Sequence, residues 1–119
     1  MITTRACEVL GIQHPILLGG MGTGTNPALV AAVSNAGGLG ILGASSKSID
    51  EIHQLIAEIR GMTDRPFGVN LLLAFLRPGA MEAVLEEHVP VLSLAWGDPT
   101  PYIQRAKDAG CQIVHMVPD

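Results

Sequence analysis

Leu39-Gly40-Ile41-Leu42-Gly43, then Ser48 through Gly61, then Phe67-Gly68-Val69-Asn70-Leu71-Leu72-Leu73 is the stretch that decides the fold. The first piece is a short apolar run between glycines and reads as a buried strand. In the second, Ile49, Ile52, Leu55, Ile56 and Ile59 follow i, i+3, i+6, i+7 and i+10, one apolar stripe of an amphipathic helix. Ser48 can cap that helix and Gly61 can end it. The third piece is again a short apolar run. Two strands joined by one crossover helix pair in parallel.

The same alternation continues in both directions. Upstream, Pro15-Ile16-Leu17-Leu18-Gly19-Gly20 is an apolar run, and Asn26-Pro27 opens a helix that ends at Gly37-Gly38. Downstream, Pro78 opens a helix with Met81, Val84, Leu85 and His88 on one face. Pro90 to Trp96 is a strand, Pro101 starts a helix ending at Gly110, and Cys111 to Val117 is the last strand. The spacing therefore predicts strands near 15–20, 39–43, 67–73, 90–96 and 111–117, separated by four helices. Near-continuous apolar strands belong to a parallel sheet covered on its faces. A barrel and an open doubly wound sheet both fit this order, and the spacing favours the barrel. In a barrel, Ile16, Leu18, Val69, Leu71, Leu92 and Val114 are expected on the inner face.

Composition agrees with a buried sheet. Of 119 residues, 48% are hydrophobic and 15% charged, against about 25% charged in ordinary soluble domains. The net charge of −4 speaks against nucleic acid, whose phosphates call for a basic surface. No run of about 18 uninterrupted apolar residues suggests a membrane span. The N-terminus lacks a basic segment with an apolar signal core, so a cytoplasmic location is expected. Cys7 and Cys111 are far apart in sequence and read as buried or free thiols.

In either architecture ligands lie beyond the carboxyl ends of the strands. Gly19-Gly20-Met21-Gly22-Thr23-Gly24 follows the first apolar run. Its glycines let main-chain N–H groups approach a flat or phosphorylated ligand, although a plain tight turn would use them too. The run lacks the last glycine of the dinucleotide fingerprint and the Gly-Lys-Ser/Thr of a P-loop. Asn70 is an amide in an apolar strand and needs partners for donor and acceptor, from a ligand or from neighbouring main chain. His115, near the end of the last strand, can exchange a proton near neutral pH or serve only as a rim residue. His14 precedes the first run, and His53 and His88 fall on helices. No pair of residues has metal-ligand spacing, so no metal is expected. Asp98 reads as a turn or cap residue. Ser93 has no base near it in sequence to make it a nucleophile.

Three motifs together resemble the opening of the nitronate monooxygenases, formerly called 2-nitropropane dioxygenases. They are His14-Pro15-Ile16-Leu17-Leu18-Gly19-Gly20-Met21-Gly22, Asn35-Ala36-Gly37-Gly38-Leu39-Gly40 and Phe67-Gly68-Val69-Asn70-Leu71. Pro90-Val91-Leu92-Ser93 with Trp96-Gly97-Asp98-Pro99 is also similar, as is His115-Met116-Val117, where many relatives carry His-Gln-Val. Flavin-dependent enoyl-acyl carrier protein reductases open in much the same way. The resemblance implies an α/β fold, a parallel (β/α) half-barrel comprising the first five strands of a TIM-type (β/α)8 barrel that binds FMN. Gly20, Met21, Gly22, Asn70 and His115 are then the expected cofactor-binding residues. The glycine turn would meet the isoalloxazine ring through main-chain groups, and Asn70 would touch it by its amide. Met116, in place of the relatives' Gln, alters one flavin-side contact.

A whole barrel takes about 250 residues. Residues 1–119 are thus expected to be the N-terminal portion of one FMN-binding barrel domain, short of closure. The family's Gly-Gly-His segment, with its base, and its phosphate-binding glycine segments have no match here, so no catalytic residue is assigned. The implied activity of the longer parent is FMN-dependent oxidation of a nitronate by O2 to a carbonyl compound and nitrite. An enoyl-acyl carrier protein reductase-like activity, or a non-catalytic half-barrel assembly module, is the alternative. The isolated chain is expected to turn over little, and to self-associate or pair with the missing half of the barrel.

Overall fold

The computed structural model describes residues 1–118. Four strands, β1 (Gly40–Gly43), β2 (Phe67–Leu72), β3 (Val91–Ala95) and β4 (Gln112–His115), form one parallel sheet in the order β1-β2-β3-β4. A doubly wound sheet reverses its strand order at a switch point, whereas a barrel adds strands in sequence. The observed order is that of a partial barrel. Helices α1 (Arg5–Leu10), α2 (Pro27–Asn35), α3 (Ile49–Met62), α4 (Ala80–Glu86) and α5 (Thr100–Asp108) complete the elements, with short 3-10 turns at Gly22–Gly24 and Leu73–Phe75.

The helix starts follow local chemistry. Leu29 N–H donates to Asn26 Oδ1 at 2.9 Å, and Pro27 occupies the first turn of α2. At α3, Glu51 N–H donates to Ser48 Oγ at 3.2 Å, and Ser48 N–H donates to Glu51 Oε2 at 2.7 Å, a complete capping box. Gly61 does not stop α3, which runs on to Met62 before Thr63. Three of the five stripe residues, Ile52, Ile56 and Ile59, are fully buried, and each such side chain withdrawn from water stabilises the fold by ~1.5–3 kcal/mol.

Three expectations need correction. First, residues 15–20 form no ladder strand. They meet the sheet through one parallel bridge, Leu17 with Leu39, made by Leu39 N–H to Ile16 O and Leu18 N–H to Leu39 O, both 2.9 Å. Pro15 has no N–H to give, and the chain turns away at Gly19-Gly20. Farther along the same edge, Gly43 N–H donates to the Thr25 hydroxyl at 2.9 Å, so a side chain takes the place of a strand. Second, α1 was not foreseen. It has six residues with only Cys7 and Leu10 buried, too short to show a periodic stripe. With Ile12 it packs on Leu39, Ile41 and Val91.

Third, the face assignment changes. The register aligns Gly43, Asn70, Ser93 and Val114 in one row and Leu42, Val69, Leu92 and Ile113 in the row before it. Successive residues of a strand point to opposite faces. Leu42, Val69, Leu71, Leu92 and Leu94 pack with Ile52, Ile56, Ile59, Met81 and Val84 beneath the helices. Val69, Leu71 and Leu92 therefore face the helices, and of the expected inner strand residues only Val114 is retained. Strands apolar on both faces carry no alternation from which the inner side could be read.

Candidate functional site

Close approach of the glycine turn to the sheet builds the site at the carboxyl ends of the strands. A Cβ on Gly43 would fall 2.5 Å from Gly22 N, and one on Gly20 would fall 2.7 Å from Asn70 Cβ. Neither position has room for a side chain. Gly22 itself has φ +56°, the left-handed region. Thr25, only 3% exposed, pins the turn: its hydroxyl donates to Gly22 O at 3.2 Å while accepting from Gly43 N–H. The loop after β1 is tied in a similar way, since Leu72 N–H donates to Ser45 Oγ at 2.8 Å.

Asn70 sits on β2 directly beside Ser93 on β3. Ser93 Oγ–H donates to Asn70 Oδ1 at 2.9 Å, and both residues are half-buried. Asn70 Nδ2 has no protein acceptor among the described residues. The row therefore presents one amide donor on the inner face, behind the glycine turn.

A cleft of about 450 Å³ opens there, with Gly19, Gly20, Asn70, Ser93, Trp96 and His115 among its lining. Trp96, the residue after β3, has φ 60°, a conformation uncommon for a bulky side chain and one that clusters at functional sites. Its indole, 59% exposed, meets Phe75 edge-on, with ring centroids 5.8 Å apart. Of the five sequence-derived candidates, Gly20, Asn70 and His115 come together in this cleft. Met21 and Gly22 stand outside its lining, against the end of β1. By the alternation, His115 shares the face of Leu71 and Leu94, opposite Asn70. Its Nε2–H donates to Gly97 O at 3.0 Å, fixing the ring to the loop after β3. Sequence reading weighed Ser93 only as a nucleophile and gave Trp96 no role in the site. Each of β2 and β3 carries one polar residue at mid-strand, a signal that could have paired Asn70 with Ser93.

The cleft offers a polar edge and apolar walls, which suit a flat heteroaromatic ring carrying donors and acceptors on one side. None of its lining residues is Lys or Arg, so it offers no cation to a phosphate. Among the described residues no group of three or more His, Cys, Asp or Glu could hold a metal ion. No helix among them is long and apolar enough to cross a membrane.

The remaining polar residues tie the outer layer together. Glu87 bonds His53 Nδ1 at 2.5 Å and Arg60 at 2.8 Å, linking α3 to the end of α4. The His53 hydrogen bond, aided by the charge of Arg60, holds the Glu87 carboxyl below the usual carboxylate range. His88 bonds the Ala109 carbonyl at 2.9 Å. Asp98 accepts the Thr100 N–H at 2.9 Å, the turn role expected of it, and hydrogen bonding from the Thr100 side chain, then from its N–H, lowers the Asp98 pKa. Cys7 and Cys111 are free and buried, and burial pushes the Cys111 thiol up.

The nitronate monooxygenase (NMO) family model matches residues 3–78. The solved structure of FabK from Thermotoga maritima superposes with TM-score 0.92 at 42% identity, over 98% of this chain and 38% of that one. A curated relative from Mycobacterium tuberculosis is 37% identical over 117 residues, 98% of this chain and 33% of its own length. It is named (3aS,4S,5R,7aS)-5-hydroxy-7a-methyl-1-oxo-octahydro-1H-indene-4-carboxyl-CoA dehydrogenase. The nitronate monooxygenase of Pseudomonas aeruginosa is 45% identical over 85 residues, 71% of this chain and 24% of that protein. The chain spans a third or less of the length of these curated relatives.

Proposed function

The chain belongs to the nitronate monooxygenase family, within a wider NMO, FabK and enoyl-reductase flavoprotein superfamily, and from that premise we propose that it is part of an FMN-dependent oxidoreductase reducing the double bond of an unsaturated acyl thioester. One observation carries the choice of substrate. The likenesses that run through 98% of the chain are to FabK and to a carboxyl-CoA dehydrogenase. The likenesses to a nitroalkane oxidase and to a probable nitronate monooxygenase run nearly as far, 94% and 95% of the chain, but at 29% and 30% identity against 42% and 37%.

In this reading residues 1–119 are the N-terminal part of one FMN-binding barrel domain. The cleft takes the flat ring, with Asn70 and the main chain of Gly20 along its polar edge. Met21 and Gly22 hold the turn against β1, and His115 braces the far wall through Gly97. FMN, when bound, supplies two-electron transfer between a nicotinamide donor and the substrate. This chain's residues bind the ring, orient it and shield it from water. The phosphate is neutralised outside the cleft, whose lining has no Lys or Arg. The edge of β4 and the barely paired segment at Leu17 are open to further strands, so the reading includes pairing with further β/α units or self-association.

Nitronate oxidation by O2 is the second reading, favoured by the family model and the Pseudomonas relative. Two assays with FMN on the whole barrel protein of this reading distinguish them: NAD(P)H oxidation driven by an enoyl-CoA, and oxygen uptake driven by a propane-2-nitronate. The first is expected to dominate. Oxygen uptake without enoyl-dependent NAD(P)H oxidation would replace the thioester reading with the nitronate one.

A further inference from the structure

We infer that Ser93 is a positioning residue that makes Asn70 a hydrogen-bond donor, not an acceptor, toward the ring bound in the cleft. This rests on the flavin reading above. A primary amide offers two donors at one end and an acceptor at the other, and unaided it can present either. Here the choice is made on the protein side. Ser93 lies opposite Asn70 in register, and its hydroxyl donates to Oδ1 at 2.9 Å. With Oδ1 engaged, Nδ2 is the end without a protein partner among the described residues.

Gly20 closes the arrangement from the other side. Its hypothetical Cβ would lie 2.7, 3.1 and 3.2 Å from Asn70 Cβ, Cγ and Nδ2. The amide thus lies between the Ser93 hydroxyl and the glycine turn, where Gly20 leaves the space that a side chain would take from it. Asn70 and Ser93 both line the cleft. The ring edge that meets Nδ2 must then be an acceptor, a carbonyl oxygen or an unprotonated ring nitrogen, and not the ring N–H. A donor at such an acceptor stabilises negative charge there, which favours the reduced ring. Ser93 therefore acts on the cofactor's electronics through Asn70.

The test uses the purified protein, with FMN and lumiflavin as probes, and three variants. Ser93→Ala is expected to weaken binding of either flavin about five- to tenfold, the loss of one net hydrogen bond. It should also change the visible spectrum of the bound ring and lower its two-electron potential. Ser93→Thr keeps the hydroxyl and should restore all three. Asn70→Asp replaces the donor by a charged acceptor and should weaken binding more than Ser93→Ala does. Thermal unfolding of each variant separates misfolding from a changed site. Wild-type protein that binds neither flavin would overturn the flavin reading, and this inference with it. Wild-type binding with an unchanged Ser93→Ala affinity, spectrum and potential would overturn the positioning role alone. Tight binding by Asn70→Asp would show that the amide faces the ring as an acceptor.

Discussion

Gly20→Ala places one methyl group where the glycine turn touches the sheet. The new carbon would start 2.7 Å from Asn70 Cβ and 3.1 Å from Asn70 Cγ. Carbon atoms rest at about 3.5–4.0 Å, so the turn must retreat by roughly 1 Å. The retreat is mechanically easy. Gly20 is exposed and follows a segment held by one bridge. The stability cost should therefore fall at the low end of overpacking, ~1 kcal/mol, a fall of a few degrees in Tm. The cleft should suffer more than the fold, because the retreat moves the Gly19 and Gly20 main chain away from the Asn70 amide. Loss of one or two hydrogen bonds to the ring, ~1–3 kcal/mol, lowers flavin affinity by about ten- to a hundredfold. Urea denaturation paired with a flavin titration measures both. Unchanged flavin affinity with a large stability loss would refute the reasoning, for it would make the Gly20 contact a matter of packing only.

Gly40→Ala should behave oppositely: its Cβ would fall 2.0 Å from Val30 O, and its three nearest neighbours are all α2 main chain, so the cost should reach or exceed the ~3 kcal/mol upper end of ordinary overpacking, read by urea denaturation. Ser48→Ala breaks the capping box of α3 and should cost ~0.5–2 kcal/mol in the same experiment with no effect on the cleft. The folded-state pKa of Glu87 lies below its ordinary value of 4.5. Its stabilising contribution is therefore complete above that value and is lost as pH falls through the lower folded one, so Glu87→Gln should flatten the acid-side fall in stability, measured by denaturation between neutral and acid pH.

What could be read from sequence was set by local chemistry. Asn26-Pro27 and Ser48 with Glu51 act on the few residues beside them, and their caps form as written. The stripe of α3 survives because three of its isoleucines meet one sheet face. Pro15 to Gly20 has the composition of a strand, yet pairing is a property of the neighbour, and here Thr25 takes Gly43's N–H instead. The inner face was misread at Val69, Leu71 and Leu92 because apolar residues occupy both faces of these strands. The site was half legible. Asn70 stands out alone in its strand, but its partner Ser93 is 23 residues away and joins it only through register. His115 was visible as a residue type, while the parity that turns it from Asn70 was not.

Trp96 is the sole tryptophan of the chain and lines the cleft, so its emission reports on a ring bound there. Titration of the purified protein with lumiflavin, followed by the Trp96 fluorescence lifetime, tests most directly whether this cleft holds a flavin. A saturable shortening of that lifetime, abolished in Gly20→Val and weakened in Asn70→Ala, is the expected result. A lifetime that does not change with lumiflavin, or a saturable change of equal strength in all three proteins, would contradict a flavin site between the glycine turn and β2.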